Sequence, residues 1–373
     1  MPLGHHRAMR AIEVCRTAAL GGRVLQCEAC SRQRIIYNSC RNRHCPCCQG
    51  LATLRWLASQ EASLLAVSYF HVVFTLPEAL HGLALRNQRV VYNIVFRAAS
   101  ETLLELCRDP KRLGADIGIT AVLHTWNQKL LDHPHLHCLV PSGGLSADGR
   151  TWRSFRKGFF MPWKVIGRMF RGKALCYLKK AYEDGKLVFA GQILPLAKEK
   201  AFRAHLDPLY QMDWVGYCQA PLGGPEHVLS YLGRYIHRVA ISNDRITGID
   251  GDQVSLSYRD RADGNRQKRL TLSAEEFIRR YLLHILPEGF VKIRHYGLLS
   301  NRQQKTKFAR AEKLIHKQGM ARKMPTRFAD VLEALTGERA GCCPFCGKGP
   351  FNLVETLPAQ PCRAPPAEGK WVA

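Results

Sequence analysis

Leu51, Leu54, Leu57, Leu64 and Leu65 recur at the spacing of one helix face and predict an amphipathic helix over 51–66. The pattern then changes. Tyr69-Phe70-His71-Val72-Val73-Phe74-Thr75-Leu76 is a β-branched and aromatic run stopped by Pro77, which predicts a strand. Val91, Ile94, Val95, Ala98, Leu103 and Leu106 restore the helical period over 87–107. Residues 116–126 and 135–140 form a second and a third strand, the latter broken by Pro141-Ser142-Gly143-Gly144, and Asp148-Gly149 marks a hairpin turn. Further on, the pattern predicts helices over 161–184 and 225–239, the second opened by Pro225 and Glu226. A hairpin over 251–258 and 267–272 turns at Asp263-Gly264, a helix covers 302–323, and the Pro/Ala-rich chain after 355 reads as disordered. Strands with helices between and after them make the fold class α+β, an antiparallel sheet with flanking helices.

A chain of 373 residues with 46% hydrophobic composition has room for two or three domains and a sizeable core. Charge adds a partner. Lys+Arg 55 against Asp+Glu 30 gives +25, and the excess is clustered. Arg168, Arg171, Lys173, Lys179 and Lys180 share one predicted helix; Arg302, Lys305, Lys307, Arg310, Lys313, Lys317, Arg322 and Lys323 face the single acid Glu312 on another. A solvated helix normally mixes signs, so these runs point to nucleic acid, with Lys305, Lys307 and Arg310 as phosphate contacts. The N-terminus lacks an apolar signal core and no stretch has the length of a membrane span, so the expected location is the cytoplasm, in contact with the nucleoid.

Fifteen cysteines in a reducing compartment point to metal rather than disulfides. Cys27-x-x-Cys30 and Cys45-x-x-Cys48 are two knuckles, and zinc takes four soft ligands in a tetrahedron. These four are the expected Zn²⁺ set, with Cys15, Cys40 and His44 able to substitute or serve a second ion. Arg32, Arg34, Arg41 and Arg43 interleave the knuckles, and Arg41 and Arg43 are read as DNA contacts. Cys343-Pro-Phe-Cys346 is half a zinc site, which Cys342 and Cys362 would have to complete.

His135-Leu136-His137 lies on an otherwise apolar strand, so period-two alternation puts both imidazoles on one face. Pro134 argues against the strand reaching His133. His124 ends the preceding predicted strand and His71 begins an earlier one, and either supplies a third ligand if the strands are neighbours. Tyr231 and Tyr235, four apart on a predicted helix, also share a face, with Arg234, His237 and Arg238 around them. A phenol with a pKa near ~10 needs help to attack at neutral pH, and a metal and arginines supply it.

These residues resemble a known family. His135-Leu-His137 fits the motif of the HUH endonucleases, and Tyr231-Leu-Gly-Arg-Tyr235 fits the two-tyrosine motif of rolling-circle enzymes. Cys15-Arg-Thr-Ala-Ala-Leu-Gly, Ser39-Cys-Arg-Asn-Arg-His-Cys-Pro, Phe74-Thr-Leu-Pro, His133-Pro-His-Leu-His-Cys-Leu-Val-Pro and Tyr235-Ile-His-Arg-Val-Ala-Ile-Ser-Asn are similar to the rolling-circle transposases of bacterial insertion sequences, the insertion-sequence-91 family. The resemblance implies an HUH-type sheet preceded by a zinc-binding module that helps recognise element ends. It implies Mg²⁺ or Mn²⁺ held by His135 and His137 against single-stranded DNA at element ends and target. One tyrosine then attacks, leaving a 5′-phosphotyrosine and a free 3′-hydroxyl; the second serves the complementary transfer, and no ATP is needed. The domains expected are 1–50 (zinc and DNA recognition), 51–300 (catalysis) and 301–373 (basic helix, Cys-x-x-Cys element and tail). Competing readings are a plasmid replication initiator or relaxase with the same chemistry, a metal-dependent hydrolytic nuclease, and a zinc-dependent DNA-binding protein without catalysis.

Overall fold

Burial alternates along the first part of Asp132–Pro141, a strand that lies at the centre of the main sheet. The computed structural model describes residues 2–49, 56, 64–156, 160–214, 216–222, 240–260, 263–319 and 342–360. The chain forms two units, one of Trp56–Thr326 and one that joins Met1–Arg55 to Arg327–Ala373.

In the Met1–Arg55 and Arg327–Ala373 unit, helix α1 (Leu3–Glu13) is followed by β1 (Gly22–Cys27) and β2 (Gln33–Tyr37). The first strands of the larger unit are β3 (Tyr69–Thr75), β4 (Ala115–Asp116), β5 (Gly118–Trp126) and β6 (Asp132–Pro141). Then come β7 (Gly143–Ser146), β8 (Trp152–Ser154) and β9 (Gly216–Leu222). Strands β10 (Ile246–Asp250), β11 (Gln253–Asp260), β12 (Arg266–Ser273) and β13 (Ile293–Gly297) complete that unit, and β14 (Phe351–Leu357) returns to the smaller one. Its helices are α2 (His81–Arg86), α3 (Gln88–Arg108), α4 (Trp163–Glu183), α5 (Glu199–Gln211), α6 (Ala274–Leu282) and α7 (Ala309–Lys317).

The main sheet is antiparallel in the order β13-β5-β6-β3-β9. One face is apolar: Phe70, Val72 and Phe74 of β3, Ile119, Ala121 and Leu123 of β5, and Leu136, Cys138 and Val140 of β6 pack with α3 and α4 in the main core. On the other face a smaller cluster of Tyr69, Val122, Leu139, Leu298, Phe308 and Ile315 covers part of the surface. The α+β layering therefore follows from the periodicities: period two on the strands, and on α3 the helical spacing that buries Val91, Val95, Ala98 and Leu103. Helix α6 starts where Ser273 accepts the Glu276 N–H at 3.2 Å, a hydroxyl cap on an exposed helix end. The predicted hairpin around Gly264 is present, with Gly264 at φ +56°, and β10 extends it to a three-stranded meander.

Three local expectations change. Strand β6 starts at Asp132, so Pro134 lies inside it. Pro134 falls where the β5–β6 register shifts, between the His124↔His135 and Trp126↔Asp132 pairs, which tolerates a residue without an N–H, and its carbonyl accepts the Leu76 N–H at 3.0 Å. The basic run after 300 is a short 3₁₀ turn (Asn301–Gln303) and a π-turn (Gln304–Phe308) leading into α7, rather than one helix. The chain after 355 is ordered to the end of β14 at Leu357, which pairs with Gly22 of β1.

The three expected segments accordingly resolve into two units. The basic turns and α7 belong with the sheet unit, whereas the Cys343–Cys346 element and β14 belong with the N-terminal segment. The pairing of β14 with β1 is a contact between segments far apart in the sequence. The helix expected over 51–66 (apart from Trp56 and residues 64–66), the helix over 225–239 and the tail from 361 lie outside the described residues, as does Cys362. No helix among the described residues is long and apolar enough to cross a membrane.

Candidate functional site

The partly open face of the main sheet carries four histidines from three adjacent strands. In the β5–β6 ladder His124 lies directly opposite His135, and Val122 opposite His137. In the β3–β6 ladder Val73 lies opposite His137 and His71 opposite Leu139. Residues 71, 124, 135 and 137 therefore share one face, with the apolar core on the other.

His124, His135 and His137 converge: one ring nitrogen of each lies within 4.8 Å of the others. His124 is buried, while His135 and His137 are half-buried at the edge of the covered surface. The indole of Trp126 stacks on His124 at 4.7 Å between centroids and 22° between planes, fixing that ring.

Hydrogen bonds set the orientation of two of the rings. The His135 Nδ1 lies 2.7 Å from the His133 carbonyl, so Nδ1 carries the proton and Nε2 keeps its lone pair. The His137 Nδ1 lies 2.8 Å from the His71 Nε2, with the two rings within 7° of coplanar. When His137 offers Nε2 to a cation, its Nδ1–H must donate, and His71 must accept through Nε2. Three neutral imidazoles on rigid strands, with orienting partners behind two of them, fit a divalent cation. Of the two candidates for a third ligand, His124 converges with His135 and His137, whereas His71 stands behind His137.

A fifth histidine braces the hairpin that carries the site. His284 is buried; its Nε2–H donates to the Leu130 carbonyl at 3.1 Å and its Nδ1 meets the Thr125 hydroxyl at 3.1 Å. Burial pushes its pKa down to about 4, so it is neutral at physiological pH. Asp132, at the start of β6, is the opposite case. Its side chain is 9% exposed, His81 is 3.9 Å away, and neither carboxylate oxygen meets a hydrogen-bond donor among the described residues. Burial pushes its pKa up to about 7.

The expected DNA-contact residues differ in their engagement. Lys305 is exposed. Lys307 is bonded to Asp116, which also accepts the Arg108 guanidinium at 2.7 Å, so its charge is partly spent inside the fold. Arg310 is exposed beside the Gly149 turn, in an open groove also lined by Arg150, Lys313 and Lys317. The basic face expected on α4 is likewise engaged: Arg171 donates to the Met212 carbonyl at 2.7 Å and Lys173 reaches Glu105 at 2.7 Å. Tyr231, Tyr235, Arg234 and Arg238 lie outside the described residues.

In the N-terminal unit the cysteines group differently from the expected set. Cys45 and Cys48 join Cys15 and Cys40, whereas Cys27 and Cys30 join Cys343 and Cys346. In the first group Cys48 Sγ is 3.5 Å from Cys15 Sγ and 3.6 Å from Cys40 Sγ. A zinc with Zn–S of about 2.3 Å holds tetrahedral sulfurs about 3.8 Å apart, so the four thiols suit the ion after small shifts. His44 is buried nearby but stands outside both sets. The reason for the regrouping is β1–β2 geometry: the hairpin carries the Cys27 knuckle to one end of its sheet, away from the loop at 38–48. Arg41, at φ +54°, and Arg43 are exposed on that loop.

A family model described as "Transposase zinc-binding domain" matches residues 1–76, and one described as "Putative transposase" matches residues 118–307. The latter span contains β5, β6 and all three converging histidines. The chain is 49% identical over 355 residues to "Putative transposase y4qJ" of Sinorhizobium fredii, covering 94% of this chain and 88% of the relative. It is 30% identical over 305 residues to the transposase for insertion sequence element IS801 of Pseudomonas savastanoi pv. phaseolicola, covering 77% and 68%. No solved structure matches.

Proposed function

Because the chain belongs to the insertion-sequence-91 family of transposases, we propose that it cleaves and rejoins single-stranded DNA by tyrosine transesterification during rolling-circle transposition. The observation that carries this reading is the convergence of His124, His135 and His137 on one sheet face, with His71 and the His133 carbonyl setting the rings. A divalent ion bound there, Mg²⁺ or Mn²⁺, would draw charge from the scissile phosphate.

The chain's own groups do the rest. The phenol oxygen of Tyr231 or Tyr235 forms a bond to the 5′-phosphorus as the P–O3′ bond breaks, and the proton lost by the phenol ends on the released 3′-hydroxyl. One phosphoester replaces another, so no ATP is consumed. The second tyrosine performs the complementary transfer. Arg234 and Arg238 beside the tyrosines, with Lys305 and Arg310, neutralise the strand's phosphates, and Arg41 and Arg43 of the zinc module contact the element end.

The test is incubation with single-stranded DNA carrying the element end and Mn²⁺, followed by a denaturing gel. A slow-migrating covalent adduct is expected, lost in the Tyr231→Phe/Tyr235→Phe double variant and in His135→Ala. Free 5′-phosphate ends without an adduct would make the protein a hydrolytic nuclease and overturn the proposal. So would DNA binding that needs neither metal nor tyrosines, without cleavage.

A further inference from the structure

Among its described residues the N-terminal unit shows little apolar interior, and neither hydrophobic cluster takes one of them. Its three-stranded sheet, β14-β1-β2, leaves Ile35, Ile36, Leu353 and Val354 between 44% and 57% exposed. A sheet this thin needs something other than burial to close it.

Its far end holds two knuckles of the same construction. The Cys27 N–H donates to the Arg32 carbonyl at 3.0 Å, and the Cys343 N–H to the Lys348 carbonyl at 3.3 Å. Ser31 N–H returns to the Cys27 carbonyl at 3.0 Å, and Gly347 N–H to the Cys343 carbonyl at 2.8 Å. Ser31 and Gly347 both adopt the left-handed conformation, at φ +57° and +69°. Each Cys-x-x-Cys is thus followed by a residue that turns the chain sharply back, which points both thiols of a knuckle the same way. The two knuckles face each other. Cys27 Sγ is 3.8 Å from Cys346 Sγ, and Cys30 Sγ is 3.9 Å from Cys343 Sγ, across a sequence separation of 319 and 313 residues. These are the edge lengths of an S₄ tetrahedron around zinc, about 3.8 Å. The strands leading into and out of the knuckles, β1 and β14, are themselves paired from Gly22↔Leu357 to Cys27↔Phe351.

We propose that Cys27, Cys30, Cys343 and Cys346 hold a second zinc ion that clamps the C-terminal strand onto the N-terminal module. The zinc-binding domain is therefore bipartite, built from both ends of the chain, and is incomplete without residues 342–357. The inference does not depend on the tyrosine chemistry, since metal content is read without DNA.

The test is zinc analysis of the full chain purified under reducing conditions. Cys343→Ser/Cys346→Ser is expected to lower the zinc content by one ion per chain, and Cys15→Ser/Cys40→Ser by another, whatever the histidine site holds. Because either variant can fail to fold, the unmodified chain is also exchanged with Co²⁺. Thiolate-to-cobalt charge-transfer absorption should saturate at two thiolate-bound ions per chain. Saturation at one ion would overturn the proposal. So would unchanged zinc in the Cys343→Ser/Cys346→Ser variant, or a disulfide between the knuckles in the reduced protein.

Discussion

The His71 Nε2 lies 2.8 Å from the His137 Nδ1, in nearly the plane of both rings. A residue of β3, outside the converging set, thereby sets which nitrogen of His137 on the central strand faces that set. His71→Leu removes the acceptor, and Mn²⁺ affinity is expected to fall roughly 10–100-fold, the usual cost of losing such a partner. His71→Gln keeps an acceptor oxygen at about the same reach and should restore most of the affinity. Calorimetric titration of Mn²⁺ into each variant checks this; equal affinity in the Leu variant would assign His71 to packing alone.

Three imidazoles make a softer donor set than Mg²⁺ prefers. DNA cleavage should therefore be faster in Mn²⁺ than in Mg²⁺ at equal concentration. His124→Ala should lower it by about 100-fold or more through lost ligation. His124→Glu should recover activity and move the preference toward Mg²⁺. Rates measured in both ions for the three proteins decide it.

Asp132 gives the fold a pH dependence of definite sign. Its folded pKa, about 7, lies above the ordinary carboxylate value of 3.8, so the native state binds more protons between those values. Stability is fully retained below about pH 4 on this account and is lost as pH rises towards 7. Burial also lowers the pKa of His81, which disfavours a compensating positive charge there. Asp132→Asn should raise Tm at pH 8, by a linkage ceiling of about 4 kcal/mol, and leave it nearly unchanged at pH 4. Thermal melts at the two pH values test the sign.

His284 acts in the opposite direction. Its folded pKa of about 4 lies below 6.5, so its contribution is complete above 6.5 and declines as pH falls towards 4. Its ring bonds to Thr125 and Leu130 belong to the hairpin that carries His124 and His135. Hydrogen exchange of β5 and β6 amides should therefore accelerate between pH 6.5 and 4, after correction for intrinsic rates, and His284→Gln should remove that step.

Gly297 ends β13 at φ +60°, and a Cβ there would sit 2.0 Å from the Ile117 carbonyl oxygen. Gly297→Ala combines a disfavoured conformation with a backbone clash, and is expected to cost about 2–4 kcal/mol. Urea unfolding measures it.

Local pattern was enough for several of the elements. The β-branched run ending at Pro77, the alternation around His135 and His137, and the spacing of Val91 to Leu106 each state a period, and a period depends only on neighbours along the chain. The same locality put both HUH imidazoles on one face, paired the cysteines into knuckles, and supported the family resemblance. Which partners meet across the fold was decided elsewhere. His124 instead of His71 became the third member of the histidine set because antiparallel register places residue 124 opposite 135, while 71 falls opposite 139. Cys27 and Cys30 met Cys343 and Cys346 because β14 pairs with β1, whereas spacing alone joins Cys27 and Cys30 to Cys45 and Cys48 and leaves Cys343 and Cys346 a half-site. Lys307 resembled its neighbours in a basic run until Asp116, distant in sequence, came against it. Residue type and spacing specify what a side chain can do; strand order and register specify whom it does it with, because those contacts join positions that no local pattern relates.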